Sequence, residues 1–292
     1  MTGRTRRDLC PGLLRPWIAD DGALIRVRIP GGAVSVDALG GLLDVARDHG
    51  DATVHLTSRA NLQARAIPHD DGCLSDAVVD AVMATGLMPS TSHERIRNVM
   101  ASPLTGRSGG RADLRPVVEE LDRRLCAEPS LAALAGRFLF VLDDGRGDVL
   151  DRDLDLGLVA LDADTAQVRV GSKSWGPVVP LPAAAEALAA LASRFVELAG
   201  ARAKSPWHVD ELPGGGAALL TSPSQPHPGT RVSSAPPDLG RIEQVDGRIA
   251  WHLPVPDGRL DARLFDEVRA HGAHRLVVTP WRTLIVPDLE NA

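Results

Sequence analysis

Residues Gly22–Arg59, GALIRVRIPGGAVSVDALGGLLDVARDHGDATVHLTSR, carry the pattern that decides the fold. Apolar and polar residues alternate at first, which predicts a half-buried strand over Ala23–Ile29. A Pro-Gly-Gly turn follows, and Ser35 stands where a helix N-cap is expected, ahead of apolar residues at helical spacing. His49-Gly50 is a typical helix end. Two further extended segments are predicted at Val54–Thr57 and Leu62–Ile67.

A second stretch, Gly247–Arg282, GRIAWHLPVPDGRLDARLFDEVRAHGAHRLVVTPWR, repeats this order of elements. It has an alternating strand, a Pro-Asp-Gly turn, a cap residue at Asp261 and a shorter helix that ends at His271-Gly272. The last two strands are predicted at Leu276–Thr279 and Thr283–Val286. Units of this size cannot each bury a core alone, so we expect the two β-α-β-β half-domains to pair into one domain.

The sequence between the two repeats predicts a different, α/β module. Apolar runs indicate strands, and apolar residues at helical spacing predict one helix with Asp113 as its N-cap and another over Ala183–Ala201. The predicted strands are Arg97–Leu104, Phe138–Leu142, Leu156–Leu161 and Gln167–Val170. The expected fold class is therefore α+β. The expected domains are 1–80, a first half-domain; 85–212, the α/β domain; 213–240, a Pro/Ser/Gly-rich linker; and 241–292, a second half-domain.

Composition excludes several classes of protein. The 292 residues carry 32 Lys+Arg against 38 Asp+Glu, a net charge of -6, which argues against nucleic acid as a partner. No apolar stretch is long enough to span a membrane, and the basic start, Met1–Arg7, is not followed by an apolar signal region. Cys10, Cys73 and Cys126 form no close pair, which is typical of a reducing compartment. We therefore expect a cytoplasmic protein.

The segment Thr57-Ser58-Arg59-Ala60-Asn61-Leu62-Gln63-Ala64-Arg65 is the strongest candidate for binding chemistry. If it is one strand, Arg59, Asn61, Gln63 and Arg65 share a face, and this polar ladder is about 20 Å long. Two guanidinium groups and two amides suit a large, flat anion with several carboxylates, because guanidinium pairs with carboxylate in bidentate fashion. The alternative is a solvated strand face. In the second repeat Arg282 shares its predicted face with Leu284 and Val286, so the ladder belongs to the first repeat.

Other polar patterns have weaker functional interpretations. Arg97 with the Ser102–Gly106 loop is able to face a ligand, and the alternative is a plain strand and turn. Asp151, Asp153 and Asp155 alternate as in a calcium loop, but the glycine falls one position late. Asp143–Asp148 has the chemistry of a hairpin turn, and the histidines show no metal-binding spacing.

Two of these segments resemble a known superfamily. Leu56–Arg65 resembles the strand of the nitrite/sulfite reductase superfamily in which a Thr-x-Arg-x-Asn-x-Gln pattern lies in the tetrapyrrole pocket, and Arg97–Leu104 looks like its next motif. Three more segments, Asp8–Gly12, Phe138–Asp148 and Thr279–Arg282, are similar to the precorrin-3B synthase family of the aerobic cobalamin pathway within that superfamily.

The resemblance implies a fold of paired ferredoxin-like half-domains plus a siroheme-type α/β domain. It also implies precorrin-3A as substrate, and oxygen-dependent ring hydroxylation with lactone formation as the reaction. A [4Fe–4S] cluster, a mononuclear non-heme iron and an electron donor accompany that activity. The implied substrate-binding residues are Arg59, Asn61, Gln63, Arg65, Arg97, Asn98 and Arg282. The alternatives are a siroheme-dependent nitrite or sulfite reductase relative and a non-catalytic tetrapyrrole-binding fragment.

The chain departs from the family pattern at its end. In the family the cluster cysteines follow the Thr-Pro-Trp-Arg segment, whereas this sequence ends at Ala292, and none of its three cysteines corresponds to a cluster ligand. We therefore expect the C-terminal iron–sulfur module to be missing. The chain is then either an enzyme that functions as it stands or a truncated product that is inactive alone. Expected partners are the tetrapyrrole, an electron donor, and either a separate polypeptide that carries the cluster module or a second copy of the chain.

Overall fold

The computed structural model describes residues 8–200, 205–232 and 235–290, so the basic start Met1–Arg7 lies outside the described residues. The chain divides into two compact units. The paired unit consists of Cys10–Arg95 with Pro236–Ala292, as far as these are described. The central unit consists of Ile96–Ala235 together with the described residues up to Leu9. Each unit has its own apolar core.

The first half of the paired unit follows the predicted order of elements. Its strands are β1 Trp17–Ala19, β2 Gly22–Val27, β3 Ala33–Ser35, β4 Val54–Leu56 and β5 Leu62–Ile67, and its helices are α1 Val36–His49 and α2 Asp76–Ala84. The predicted N-cap is confirmed, because Ser35 Oγ accepts a hydrogen bond from the Ala38 amide at 3.1 Å. The edge strand β1 and the helix α2 were not predicted.

The central unit is a five-stranded sheet with helices against it. Its strands are β6 Val99–Ala101, β7 Phe140–Asp143, β8 Leu156–Ala160, β9 Thr165–Val170 and β10 Ser174–Pro180, and its helices are α3 Arg115–Ala127 and α4 Leu181–Ala199. The strand order is β10-β9-β8-β7-β6, with β6, β7 and β8 parallel and the remaining pairs antiparallel. Tilted ring contacts of Phe138 with Phe140 and Phe195 lie in the core.

Two sequence-based expectations for this unit need correction. The N-cap of α3 is Leu114 and not Asp113, although Asp113 Oδ1 accepts a hydrogen bond from the Arg115 amide at 3.0 Å. The first part of the segment 213–240 does not behave as a linker, because Leu219 is 2% exposed in the core of the central unit. Arg111 also donates to the Gly229 carbonyl at 2.6 Å, which fastens this segment to the unit.

The second half of the paired unit repeats the first in a shorter form. Its strands are β11 Gly240–Glu243, β12 Ile249–Leu253, β13 Arg259–Leu260, β14 Arg275–Val278 and β15 Leu284–Leu289, and its helix is α5 Ala262–Arg269. Asp261 caps α5 as predicted, accepting from the Leu264 amide at 2.8 Å. The 3₁₀ turns of the chain are Pro30–Gly32, Pro129–Ala133, Val209–Glu211, Gly215–Leu219, Pro228–Thr230 and Pro256–Gly258.

Each half of the paired unit gives one short strand to the sheet of the other half. Sheet one has the order β1-β2-β5-β4-β13, and sheet two has the order β11-β12-β15-β14-β3. The exchanged strands β13 and β3 both follow a Pro-x-Gly turn. One core cluster contains residues of both halves, among them Leu39, Leu62 and Leu284. The predicted α+β class, with two ferredoxin-like half-domains paired into one domain beside an α/β domain, is confirmed.

The last glycine of each Pro-x-Gly turn lies directly before an exchanged strand, Gly32 before β3 and Gly258 before β13. Gly32 has φ +73°, and a Cβ atom there would lie 2.1 Å from the Val278 carbonyl oxygen. Gly258 has φ +68°, and its Cβ would meet the Arg282 side chain at 3.1 Å. Both positions therefore need a residue without a side chain.

No helix in the described ranges is both long enough and apolar enough to cross a bilayer.

Candidate functional site

The predicted polar ladder is interrupted by a turn. The Thr57 amide donates to the Asn61 carbonyl at 2.9 Å, and the Ala60 amide donates back to the Thr57 carbonyl at 3.0 Å. Ala60 has φ +55°, in the left-handed region. Strand β5 therefore begins at Leu62, and Arg59 and Asn61 do not share a strand face with Gln63 and Arg65. The expectation of one continuous strand from Arg59 was wrong, because a turn was not distinguished from an extended segment.

Asn61 holds this turn against the neighbouring strand. Its side chain is 2% exposed, and Oδ1 accepts a hydrogen bond from the Ile29 amide at 3.1 Å. Thr57 Oγ1 accepts from the Asn61 amide at 3.0 Å, which closes the turn from the other side. The structure therefore shows a supporting contact for Asn61, and its predicted role in substrate binding stays a prediction.

Gln63 and Arg65 do lie on one face of β5, as the alternation predicts. Arg65 is half-exposed and its Nη2 lies 3.3 Å from Asp21 Oδ2. The residue after it, Ala66, has φ +55°, at a point where the register with β2 shifts. This bulge ends the regular alternation beyond Arg65.

The strongest polar feature of the paired unit runs across the strands of sheet one. Register places Arg26 of β2 opposite Gln63, Gln63 opposite His55 of β4, and His55 opposite Arg259 of the exchanged strand β13. We call Arg26, Gln63, His55 and Arg259 the cross-strand row. Neighbouring strands are about 4.8 Å apart, so the row extends about 14 Å. Only Gln63 of these four residues was among the predicted site residues.

The first two members of the row are joined directly. When the Gln63 amide is oriented to satisfy both groups, its oxygen accepts from Arg26 Nε at 3.0 Å and Nη2 at 2.6 Å. Burial lowers the pKa of Arg26, and the positive charge of Arg59 lowers it further while Cys10 opposes the change. Arg59 therefore lies near the row although it belongs to the turn before β5.

A second arginine, one residue after the end of β2, is almost fully enclosed. Arg28 is 2% exposed and donates to the carbonyls of Pro11 at 2.6 Å and Arg26 at 3.1 Å. Burial lowers the pKa of Arg28 to about 9, and repulsion from Arg26 adds to this effect. Repulsion thus links Arg59 with Arg26 and Arg26 with Arg28, and an anion bound near Arg26 would relieve it.

The far end of the row is linked to a carboxylate. His55 Nε2 lies 2.6 Å from Asp51 Oδ2, Thr53 Oγ1 donates to Asp51 Oδ1 at 3.0 Å, and Arg259 Nη2 lies 3.7 Å from Asp51 Oδ2. Burial alone would raise the pKa of Asp51, but the hydrogen bonds from His55 and Thr53 outweigh it and lower the pKa. The ionised Asp51 thus orients His55 and reduces the positive charge at this end.

The second half has the same turn with different side chains. The Thr279 amide donates to the Thr283 carbonyl at 3.0 Å, and the Arg282 amide donates to the Thr279 carbonyl at 3.1 Å. Arg282 has φ +60° and therefore stands where Ala60 stands in the first half, while Trp281 stands at the position of Arg59. The predicted correspondence of Arg282 with Arg59 is wrong by one residue. Arg282 is exposed on this turn.

The equivalent row of sheet two is nearly apolar. Register places His252 of β12 opposite Ile285, Ile285 opposite Val277 of β14, and Val277 opposite Ala33 of the exchanged strand β3. His252 is 2% exposed, and its Nδ1 and Nε2 lie 2.9 Å from the Asp238 carbonyl oxygen and 2.6 Å from Thr283 Oγ1. Burial lowers the pKa of His252, so its neutral form is favoured.

The remaining predicted site residues belong to the central unit. Arg97 forms a bidentate pair with Asp122, at 2.6 Å from Nε and 2.7 Å from Nη2, and Asn98 Nδ2 donates to the Gly136 carbonyl at 2.8 Å. Both side chains are buried. These contacts fasten the start of β6 to α3 and to the loop before β7, and the predicted role in substrate binding stays a prediction.

The described residues do not fit the metal groups that the resemblance implies. A four-cysteine cluster needs four thiolates, and the chain has three cysteines, which are separate from one another. Cys10 and Cys73 belong to the paired unit and Cys126 to the central unit, where burial raises the pKa of its thiol. Within the described ranges, no group of three or more His, Cys, Asp or Glu side chains is placed to hold a metal ion.

Comparisons with known proteins agree with this architecture. Residues 19–71 match the model of the nitrite/sulfite reductase ferredoxin-like half domain. A precorrin-3B synthase from a Sinorhizobium species is 29% identical over 146 residues, which cover 48% of this chain and 29% of that protein. The structure of the Mycobacterium tuberculosis NirA protein superposes with a TM-score of 0.71 and 21% identity, covering 94% of this chain and 57% of that chain.

The matched parts are less than two thirds of the length of these two relatives. The likeness to NirA concerns the fold, while the family-model match falls on the half-domain that carries most of the cross-strand row. Residues 19–71 thus match a nitrite/sulfite reductase ferredoxin-like half domain, the fold is similar to that of NirA, and about half of the chain is similar in sequence to a precorrin-3B synthase.

Proposed function

We propose that the outer face of sheet one binds a tetrapyrrole with several carboxylates, and that the chain takes part in a precorrin-3B synthase-like reaction on precorrin-3A. The observation that carries this proposal is the strand register, which sets Arg26, Gln63, His55 and Arg259 side by side. A flat ligand with carboxylates on its rim meets such a row along its edge, and each guanidinium is able to pair with a carboxylate.

The sequence similarity favours this substrate class over nitrite or sulfite. The Sinorhizobium relative is a precorrin-3B synthase, and its similarity extends over 48% of this chain. The row is also longer than a small inorganic anion requires, since it spans about 14 Å of sheet. A large polycarboxylate is therefore the ligand that this surface suits best.

The proposed overall reaction inserts one oxygen atom of O₂ into the macrocycle, which then closes a lactone. The second oxygen atom leaves as water, with two electrons from an external donor and two protons from solvent. The iron groups that the resemblance implies would activate O₂, but the described residues do not fit them. We therefore assign to this chain the binding and orientation of the macrocycle, and to a separate polypeptide or module the redox chemistry.

Direct binding of a tetrapyrrole to the full chain tests the proposal. Precorrin-3A, or the stable octacarboxylate uroporphyrin III, is titrated into the protein while ligand absorbance or fluorescence is recorded. Arg26→Ala should weaken binding by about 10- to 100-fold, because a hydrogen bond to a charged group contributes about 1.5–3 kcal/mol. Arg241→Ala, on the edge strand β11 where Arg241 Nη1 pairs with Glu243, should bind as the wild type does.

Two results would count against this function. If neither ligand binds at micromolar concentration, the sheet face is not a tetrapyrrole site. If both variants bind like the wild type, the ligand lies elsewhere and the cross-strand row has no part in recognition. A preference for siroheme over the metal-free ligands in the same titration would favour the reductase relatives.

A further inference from the structure

The loop after β7 contains a cluster of buried carboxyl groups that the proposed function does not use. Asp143 and Asp144 are 0% exposed and Asp148 is 1% exposed. Arg146 lies among them, with Nη2 2.8 Å from Asp144 Oδ2. Burial of three acids beside one guanidinium is costly unless a proton or a counter-charge neutralises part of the charge.

These residues join the loop after β6 to the loop after β7. Ser102 Oγ accepts a hydrogen bond from the Asp144 amide at 3.1 Å, and the Arg111 amide donates to the Asp144 carbonyl at 2.6 Å. Arg146 Nη2 also donates to the Ser108 carbonyl. We call these contacts, between residues 102–111 and 143–149, the clasp.

Asp148 is the member of the cluster with an unfulfilled oxygen. Its Oδ1 accepts a hydrogen bond from Ser102 Oγ at 2.7 Å. Its Oδ2 is fully buried and has no hydrogen-bond partner among the described residues, with Arg146 Nε at 3.6 Å. Asp143 differs, because it accepts from the amides of Gly145 at 2.8 Å and Gly147 at 2.9 Å. An ionised Asp148 would therefore carry a charge that the loop does not stabilise as it stabilises Asp143.

Burial and the charges of the neighbouring acids also favour the protonated form of Asp148. Burial raises the pKa of Asp148 to about 7; the hydrogen bond from Ser102 and the charge of Arg146 lower it, and the charges of Asp143 and Asp144 raise it. Burial also raises the pKa of Asp143, against the three amides that donate to it. Burial is the largest of these effects on Asp148, and it outweighs the opposing Ser102 hydrogen bond and Arg146 charge, so the protonated form of Asp148 is favoured.

Charged side chains of the neighbouring elements are directed elsewhere. Arg111 donates to the carbonyls of Ala160 and Gly229, and Arg169 of β9 donates to the Leu150 carbonyl at 2.9 Å. Arg107, in the facing loop, lies near enough to Asp113 to lower the pKa of that carboxyl. Arg146, Asp143 and Asp144 are therefore the charged groups that set the protonation of Asp148.

We propose that the clasp is proton-linked: it is closed while Asp148 carries a proton and it opens more readily once Asp148 is ionised. The proton on Oδ2 removes the buried negative charge and leaves Oδ1 to hold Ser102. Ionisation restores three negative charges around Arg146, and opening lets water solvate Asp148. The device would make the loops at the carboxyl ends of β6 and β7 more mobile as pH rises toward neutrality.

The direction follows from proton linkage. In the closed clasp Asp148 binds its proton more tightly than in the open clasp, where the carboxyl has an ordinary pKa. Opening therefore releases a proton and becomes easier as pH rises from the ordinary value toward about 7. Above the closed-state pKa both forms are ionised and the effect levels off.

Hydrogen exchange of the full chain tests this directly. The Gly145, Gly147 and Val149 amides donate to Asp143 and report clasp opening. Their exchange is measured between about pH 5 and pH 8 and corrected for the intrinsic pH dependence. In the wild type, protection should fall by up to about tenfold per pH unit and level off near neutrality, since one proton is linked to opening.

Three variants distinguish the titration of Asp148 from a general effect of pH on amide exchange. Asp148→Asn should remove the pH dependence, whereas Asp164→Asn, at an exposed hairpin position, should keep it. Ser102→Ala should move the levelling point to higher pH, because the Ser102 hydroxyl lowers the pKa of Asp148. Wild-type protection that is flat over this range, or an unchanged dependence in Asp148→Asn, would overturn the proposal. If Asp148→Asn does not fold, a Ser102→Ala profile without that shift would do so.

Discussion

The two halves of the paired unit share the order of their strands and turns but have opposite surfaces on their equivalent rows. In sheet one the row consists of Arg26, Gln63, His55 and Arg259, and in sheet two of His252, Ile285, Val277 and Ala33. Both halves keep the Pro-x-Gly turn, the capped helix and the Thr-containing turn before the last strand. The architecture therefore depends on turns and caps, while the chemistry of each face is free to differ.

Because of the exchanged strands, each row ends in a residue that belongs to the other half. Because β13 belongs to the second half but pairs with β4, the cationic end of the polar row, Arg259, comes from the half whose own row is apolar. Because β3 pairs with β14 in return, the first half contributes Ala33 to the apolar row. A binding surface of one half thus requires the other half to be folded.

The largest expected effect concerns the turn glycines that allow the exchange. Gly32→Ala places a Cβ atom 2.1 Å from the Val278 carbonyl oxygen at φ +73°. We expect a loss of more than about 3 kcal/mol in the free energy of unfolding, from backbone strain and overpacking together. Gly258→Ala is the matched variant; its Cβ would meet Arg282 Cβ and Cδ at 3.1 Å and the Leu56 carbonyl oxygen at 3.3 Å, contacts that a shift of a few tenths of an ångström relieves. Its loss should be smaller, about 1–2 kcal/mol. Urea unfolding of both variants checks the order, and equal losses would contradict the assigned contacts.

The second largest effect is expected when a row residue is replaced by the residue at the equivalent position of the other sheet. Ile285→Gln buries an amide where Ile285 is 0% exposed, and should cost about 2–4 kcal/mol of unfolding free energy. Gln63→Ile places an apolar residue at a half-buried position and should change stability by less than about 1 kcal/mol. It should instead weaken tetrapyrrole binding, because Arg26 loses the amide that orients it. Unfolding and binding measurements on the pair decide whether the two rows have different roles, and similar behaviour of both variants would argue against it.

Much of this comparison was accessible from the sequence. Ser35 and Asp261 cap helices as predicted, and the Pro-x-Gly turns and the His49-Gly50 helix end were correctly located. The helix of the second half ends at Arg269, two residues before the predicted His271-Gly272. These features are local, because a cap or turn depends on residues within a few positions. The pairing of the two halves followed from their size and repetition.

The binding face was harder to predict for a physical reason. The cross-strand row depends on register between strands, and Arg259 reaches it through the two-residue strand β13, which has no sequence signal of its own. The alternation along Thr57–Arg65 predicted one strand. Ala60 interrupts it with a left-handed backbone conformation, which the sequence does not signal because this residue is not a glycine. Likewise, Asp148 is polar in a turn-like sequence, and only the three-dimensional structure shows that it is buried.

A moderate effect is expected for the turn residues Asn61 and Thr283. Asn61→Ala leaves the buried Ile29 amide without the acceptor it has at 3.1 Å, and should cost about 1–3 kcal/mol. Thr283→Val removes the hydroxyl that lies 2.6 Å from His252 Nε2. The group that loses its partner is then a side-chain ring nitrogen, whereas in Asn61→Ala it is a backbone amide. We expect the Thr283 variant to lose no more than about half as much unfolding free energy. Thermal or urea unfolding compares them, and a larger loss for Thr283→Val would mean that the second turn depends more on its side chain.

The smallest expected effect is the pH response of the apolar row. Burial lowers the pKa of His252, so the folded protein binds its proton less readily than the unfolded chain does. The neutral His252 therefore stabilises the fold fully only above the ordinary histidine pKa of about 6.5. This stability is lost as pH falls below about 6.5 toward the lower pKa that His252 has in the folded protein. The loss cannot exceed about 1.4 kcal/mol per pH unit for one proton. Asp148 responds in the opposite sense, so the effect must be taken as the difference between the wild type and His252→Gln. Urea unfolding between about pH 7.5 and pH 5.5 should show that the variant loses less stability on acidification. If both proteins lose the same amount, the pKa of His252 is the same in the folded and the unfolded chain, and burial does not hold this histidine neutral.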